Sequence, residues 1–223
     1  MIRRSLVTLA TIAVASSAFA HFVYVVPGKD AKSLTVVFSD DLEADEGVPI
    51  EKIKDLKLTG RFANGTTKPL GVELGKASLT VTVPEADLLV ASGTIVYGIS
   101  KSSTAKPSLL VYHPKVVVAG VTADKATVGE TAALEIVPTT KDGTTTYQLL
   151  AKGKPVADAE GSLLKPDGTK AKVKTDAQGR TEAIAGTGRF ALWLRKIEAK
   201  PGEHAGTNYD EAKHYATLVV DVK

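Results

Sequence analysis

The chain is cut at short intervals by Gly, Pro, Asn and Asp, and the pieces between are short runs of β-branched and aromatic residues. Such runs are too brief for stable helices and carry the composition of strands. Phe22 to Val26, Ser33 to Phe38, Leu56 to Arg61, Lys68 to Glu73, Ser78 to Val83, Thr94 to Ser100 and Leu109 to Val118 form one series. Asn64-Gly65 marks a tight turn within it, and Pro114 interrupts its last member. About seven strands in about 100 residues is the count of an immunoglobulin-like sandwich. Only Pro49 to Lys54 reads as a helix, and a short one.

A second series begins near Val121. It comprises Ala132 to Thr139, Thr145 to Ala151, Gly161 to Lys165, Ala171 to Thr175, Thr181 to Ala185, Arg189 to Ile197 and Tyr215 to Val222. Lys165-Pro166-Asp167-Gly168 and Asp176-Ala177-Gln178-Gly179 are its turns. The expected fold class is all-β: two tandem immunoglobulin-like or transthyretin-like β-sandwich domains, residues 21–119 and 120–223. No repeated motif relates the two.

Ahead of both series, Met1 to Ala20 has a secretory layout. Arg3 and Arg4 precede an apolar run from Leu6 to Ala15, and Ala18-Phe19-Ala20 fits the small-x-small cleavage pattern. Residues 1–20 are therefore expected to be a signal peptide, with His21 the first residue after the cut. The expected location is the periplasm or outside the cell, without a lipid anchor or membrane insertion after cleavage. Of 28 Lys+Arg, the leader takes two, leaving 26 against 25 acidic residues, near neutrality. That balance offers no electrostatic case for nucleic acid. With no cysteine, disulfides and thiolate metal sites are excluded, and any transition metal must use nitrogen and oxygen donors.

His21 is the residue that this layout singles out. An N-terminal histidine offers an α-amino nitrogen, with a pKa of about 7.7–8.0, and an imidazole to the same ion. The other histidines are His113, late in the first series, His204, in a polar stretch Pro201 to Gly206, and His214, which opens the last strand. Alternation puts His214 on one face with Leu218, Val220 and Val222. An odd number of strands in the first domain would leave His21 far from His204 and His214, whereas an even number would bring it to the domain junction. The acidic run Asp40, Asp41, Glu43, Asp45 and Glu46 lacks the spacing of a calcium loop and reads as solvated. No nucleophile elbow, phosphate loop, dinucleotide fingerprint or zinc-protease motif occurs.

Two stretches carry resemblances. Gly153-Lys154-Pro155-Val156-Ala157-Asp158-Ala159, Pro166-Asp167-Gly168 and Thr175-Asp176-Ala177-Gln178-Gly179-Arg180 resemble the carboxypeptidase-regulatory type of β-sandwich. His21-Phe22-Val23-Tyr24, Phe38-Ser39-Asp40-Asp41-Leu42, Lys106 to Lys115 and Tyr209 to Leu218 resemble a bacterial exported family described as periplasmic components of nickel or cobalt uptake. The resemblance implies a two-domain β protein that binds a transition metal, with His21 and His214 the best-matched ligands, then His113 and His204. The ion expected is nickel or copper, with cobalt or zinc as alternatives, and the implied partner is a membrane metal transporter. The expected role is non-enzymatic uptake, delivery or buffering of the metal. The rival readings are a structural or interaction module of the cell envelope and, less favoured, a copper histidine-brace oxygenase.

Overall fold

A computed structural model describes residues 21–28, 33–84, 87–102, 105–118 and 120–223. The expected signal peptide, Met1 to Ala20, lies outside them. The first seven strands are β1 (Phe22–Pro27), β2 (Ser33–Ser39), β3 (Lys57–Phe62), β4 (Thr67–Leu74), β5 (Leu79–Thr82), β6 (Leu88–Ser102) and β7 (Ala105–Val117). A single 3-10 turn, Ile50–Ile53, stands where the short helix was expected and buries both isoleucines. Four residues, Ala123–Ala126, form a helix, α1, at the start of the second series.

The remaining strands are β8 (Glu135–Lys141), β9 (Thr144–Ala151), β10 (Lys154–Pro155), β11 (Glu160–Leu164), β12 (Lys170–Lys174) and β13 (Ile184–Ala185), followed by β14 (Gly188–Glu198), β15 (Gly202–His204), β16 (Thr207–Tyr209) and β17 (Glu211–Val222). The all-β expectation holds. The polar stretch around His204 is a hairpin, β15–β16, whose turn residues Ala205 and Gly206 both have positive φ. Among the described residues no helix is long and apolar enough to cross a membrane.

The two series meet in one sheet of 11 strands, ordered β1-β2-β5-β4-β3-β6-β7-β17-β14-β11-β12. The join is a parallel pairing of β7 with β17, which sets Tyr112 beside Tyr215 and His113 beside Ala216. Pro114 sits inside β7. It has no N–H to give, and no pairing with β6 forms at His113 or Pro114, though Tyr112–Ile95 and Lys115–Ser92 on either side keep one register. A smaller sheet of β8, β9, β10 and β13 packs over the second half.

Two apolar cores lie on opposite faces of the large sheet. The first, built from β1 to β7, takes Ala191 and Val219 from the second series. The second joins the smaller sheet to Leu192, Leu194, Ala216, Leu218 and Val220, and takes Val90 and Val117 from the first. Strands β14 and β17 are thus covered on both sides. That is why Leu218-Val219-Val220 is an unbroken apolar run rather than an alternating one.

The sheet also curls, so that β1 lies across β7 and β17. Its partner β2 satisfies only one edge. On the other edge the hydroxyl of Tyr112 donates to the carbonyl of His21 at 3.2 Å, and that of Thr217 donates to the carbonyl of Val23. Side chains from below cap an edge that would otherwise be bare. The odd number of strands in the first series therefore does not carry His21 away from the second, because the curl returns β1 to β17.

The turns follow their residues. Asp167 Oδ1 accepts the amide and hydroxyl of Thr169, and Asp176 Oδ1 accepts the amides of Gln178 and Arg180. Gly179 has φ of 71°, and a Cβ there would lie 2.8 Å from the carbonyl oxygen of Leu149. Thr175, buried, donates to the Val156 carbonyl and accepts from the Ala159 amide.

Candidate functional site

His21 sits at the head of β1, held by its neighbours on two sides. Its ring meets Phe38 edge-on, with centroids 5.9 Å apart. Its Nε2 lies 3.1 Å from Oδ2 of Asp45. An ionised carboxylate can only accept, so Nε2 carries the proton and donates it. The amide of Gly47 and the His21 ring together hold the Asp45 carboxyl below its usual range. With Nε2 committed, Nδ1 is the ring nitrogen left for coordination. The acidic run is open to solvent, as expected, yet most of its carboxylates have partners: Asp45 with His21, Asp40 with Lys170 and Glu46 with Lys76, while Asp41 accepts the hydroxyl of Ser39.

Behind His21 lies an aromatic cluster. Phe22 stacks on Trp193, centroids 4.5 Å apart, and meets Tyr215 edge-on at 5.4 Å. Tyr112 stacks on Tyr215 and meets Phe38 and Tyr97 edge-on. These rings fix the entry of β1 and shield the first core beneath His21.

His113 and His214 form a second constellation. Each follows or precedes a tyrosine of that cluster, so alternation turns both to the opposite face of the sheet. His214 shares its face with Ala216, Leu218 and Val220, as its position in β17 implies. His113 Nε2 and His214 Nδ1 share a hydrogen bond of 3.0 Å, with the rings nearly parallel at 16°. Thr94 Oγ1 lies 3.0 Å from the other nitrogen of His113, and Glu198 lies 3.9 Å from Nε2 of His214. Burial, aided by His214, pushes His113 down to about 3, and burial lowers His214 as well. Both rings are neutral at physiological pH. Among the described residues, no group of three or more His, Asp or Glu is arranged to hold a metal.

Of the four histidines expected as ligands, the structure thus brings together His113 and His214. It holds His21 on Asp45 on the other face of the sheet, and His204 lies half-buried in the β15–β16 hairpin. Asp45, Thr94 and Glu198 had no signal in spacing. By sequence alone, the acids around Asp45 point only to solvent.

No protein-family model matches the chain, and no curated protein matches it. Among solved structures, a pullulanase from Anoxybacillus sp. LM18-11 bound to maltotriose is 14% identical, with a TM-score of 0.20 over 78% of this chain and 23% of that one. A chain of a 1.5-MDa bacterial ice-binding adhesin is 12% identical, with a TM-score of 0.23 over 91% of this chain and 65% of that one. The chain therefore spans less than two thirds of either, and at these scores neither likeness bears on function.

Proposed function

We propose that the protein is an exported, non-enzymatic transition-metal binder whose metal is chelated by His21 after cleavage behind Ala20. One observation carries the reading: the donation from His21 Nε2 to Asp45. Ligating histidines commonly give their second ring N–H to a carboxylate, which fixes the tautomer and raises the basicity of the coordinating nitrogen. Cleavage supplies an amine that forms a chelate with Nδ1, and the two donors suit Ni²⁺ or Cu²⁺, with Co²⁺ or Zn²⁺ weaker candidates. A role in uptake, delivery or buffering of the ion follows from a site built of one residue at the edge of a rigid sheet.

The test compares the chain beginning at His21 with one carrying an added Gly before it, titrated with Ni²⁺ and Cu²⁺ by calorimetry. The lone tryptophan, Trp193, stacked on Phe22, gives an independent fluorescence readout. The native terminus is expected to bind one ion and the extended terminus to lose most of that affinity. Equal affinities would overturn the proposal. Asp45→Asn should weaken binding about 10–100-fold while leaving the stoichiometry unchanged.

A further inference from the structure

The sheet face that bears His113 carries an arrangement that the metal reading does not use. Lys57, Thr59 and Arg61 alternate along β3 and share a face. Pairing sets Thr59 beside Ser92, Ser92 beside Lys115, and Lys57 beside Thr94. The segment from Val128 to Glu135 stands over this patch and encloses a cleft of about 460 Å³. One step along the same face, Val90 and Val117 belong to the second apolar core. The face is thus open to solvent at Lys57 and Thr59 and turns apolar where the smaller sheet covers it.

The charges in the cleft do not cancel. Glu135 is the one carboxylate among its lining residues, and it is spent. It pairs with Lys115 and accepts the amides of Val128 and Gly129, with both side chains of the pair buried. Arg61 gives Nη2 to the carbonyls of Lys125 and Thr127, which do not neutralise it and leave Nε and Nη1 as further donors. Lys57 is exposed and has no ion-pair partner among the described residues. Two net positive charges remain, four residues apart on one strand, which is about 13 Å between their Cα atoms. Five hydroxyls, on Thr59, Thr67, Ser92, Thr94 and Thr131, line the space around them.

We propose that this cleft binds a small organic polycarboxylate, one carboxylate taken by Lys57, another by Arg61, with the hydroxyls of Thr59, Ser92 and Thr94 bonding the oxygens between. The spacing of the two cations selects a ligand with separated anionic groups over a single compact anion. A cleft of this volume lies in the ordinary range for small-molecule sites, and few but convergent polar groups are what such sites use to orient a ligand. His113, buried and with both ring nitrogens engaged by Thr94 and His214, forms part of the wall and fixes the Thr94 hydroxyl.

The experiment titrates the metal-free chain, residues 21–223, with tricarballylate, glutarate, acetate and inorganic phosphate, by calorimetry and by NMR of Thr94 and His113. Tricarballylate is expected to saturate at one equivalent and to shift both residues. Lys57→Glu should weaken it at least tenfold without lowering the melting temperature, and Lys57→Gln should fall between. No saturation by about 10 mM, unchanged affinity in Lys57→Glu, or phosphate binding as tightly as tricarballylate would each overturn the proposal. A Gly added before His21 should leave this binding untouched, which separates it from the metal site.

Discussion

Tyr112 and His113 are neighbours in sequence, as are Tyr215 and His214, yet each pair is divided between two unlike environments. On one face of β7 and β17 the tyrosines stack in an aromatic cluster that seats β1. On the other face, the histidines share a hydrogen bond beside a buried Lys–Glu pair and a polar cleft. Stacked rings hold the first face together, whereas around His113 the second face adds charge and directional bonds to its apolar core. A single sheet can therefore be rigid on both sides for opposite physical reasons, and the two sides should fail under different insults.

The largest expected effect lies on the polar face. Glu135→Ala leaves Lys115 buried without its partner and strips the amides of Val128 and Gly129. Removing one member of such a pair costs about 3–5 kcal/mol. Chemical denaturation should show that loss, and a change below about 1 kcal/mol would mean that water reaches the pair and that this face is not the dry structure described. Acid should come next. His113 and His214 both titrate below their ordinary value, so the unfolded chain takes up protons that the folded chain refuses. Their contribution is fully present above about pH 6.5 and fades as the pH falls toward 3. By pH 4 the loss for His113 should reach about 2–4 kcal/mol. Melting curves of the native chain should fall more steeply over this range than those of His113→Gln, and parallel curves would remove the histidines from the account. The stacked rings of the aromatic face carry no group that titrates over this range, and the hydrogen bond of Tyr112 contributes least. Tyr112→Phe keeps the ring and loses one hydrogen bond to the edge of β1, about 1 kcal/mol. Hydrogen exchange at the head of β1 should quicken, whereas exchange in β9 should not.

Much of the secondary structure was legible because it is local. All seven strands of the first series, the Asn64-Gly65 turn and the turn at Ile50–Ile53 follow from residue type and punctuation. Strands β10, β15 and β16 were missed because two or three residues carry no period. Period-2 reading also placed His214 on the correct face, since a face is a property of one strand. What no strand carries is its partner. The parallel pairing of β7 with β17, the curl that lays β1 over them, and the meeting of His113 with His214 each depend on register between segments about 100 residues apart or more. The run Leu218-Val219-Val220 did hint at burial on both faces, and therefore at a central position for β17. Asp45 shows the limit most plainly. Its partner lies 24 residues away across a loop, and nothing in an acidic run says which carboxylate meets the histidine.

The capped edge of β1 has a consequence for how the molecule comes into being. Thr217 reaches the carbonyl of Val23 across 194 positions, and Phe22 rests on rings from β14 and β17. The opening strand thus waits for the closing one. Until β17 is made and threaded beside β7, β1 lacks Thr217 at its edge and Tyr215 against Phe22, and loop-closure entropy of that span makes the docking a late, slow event. A stop placed after Asp45 and before Trp193 would leave every residue from His21 to Asp45 in the chain, yet take away the rings on which Phe22 rests.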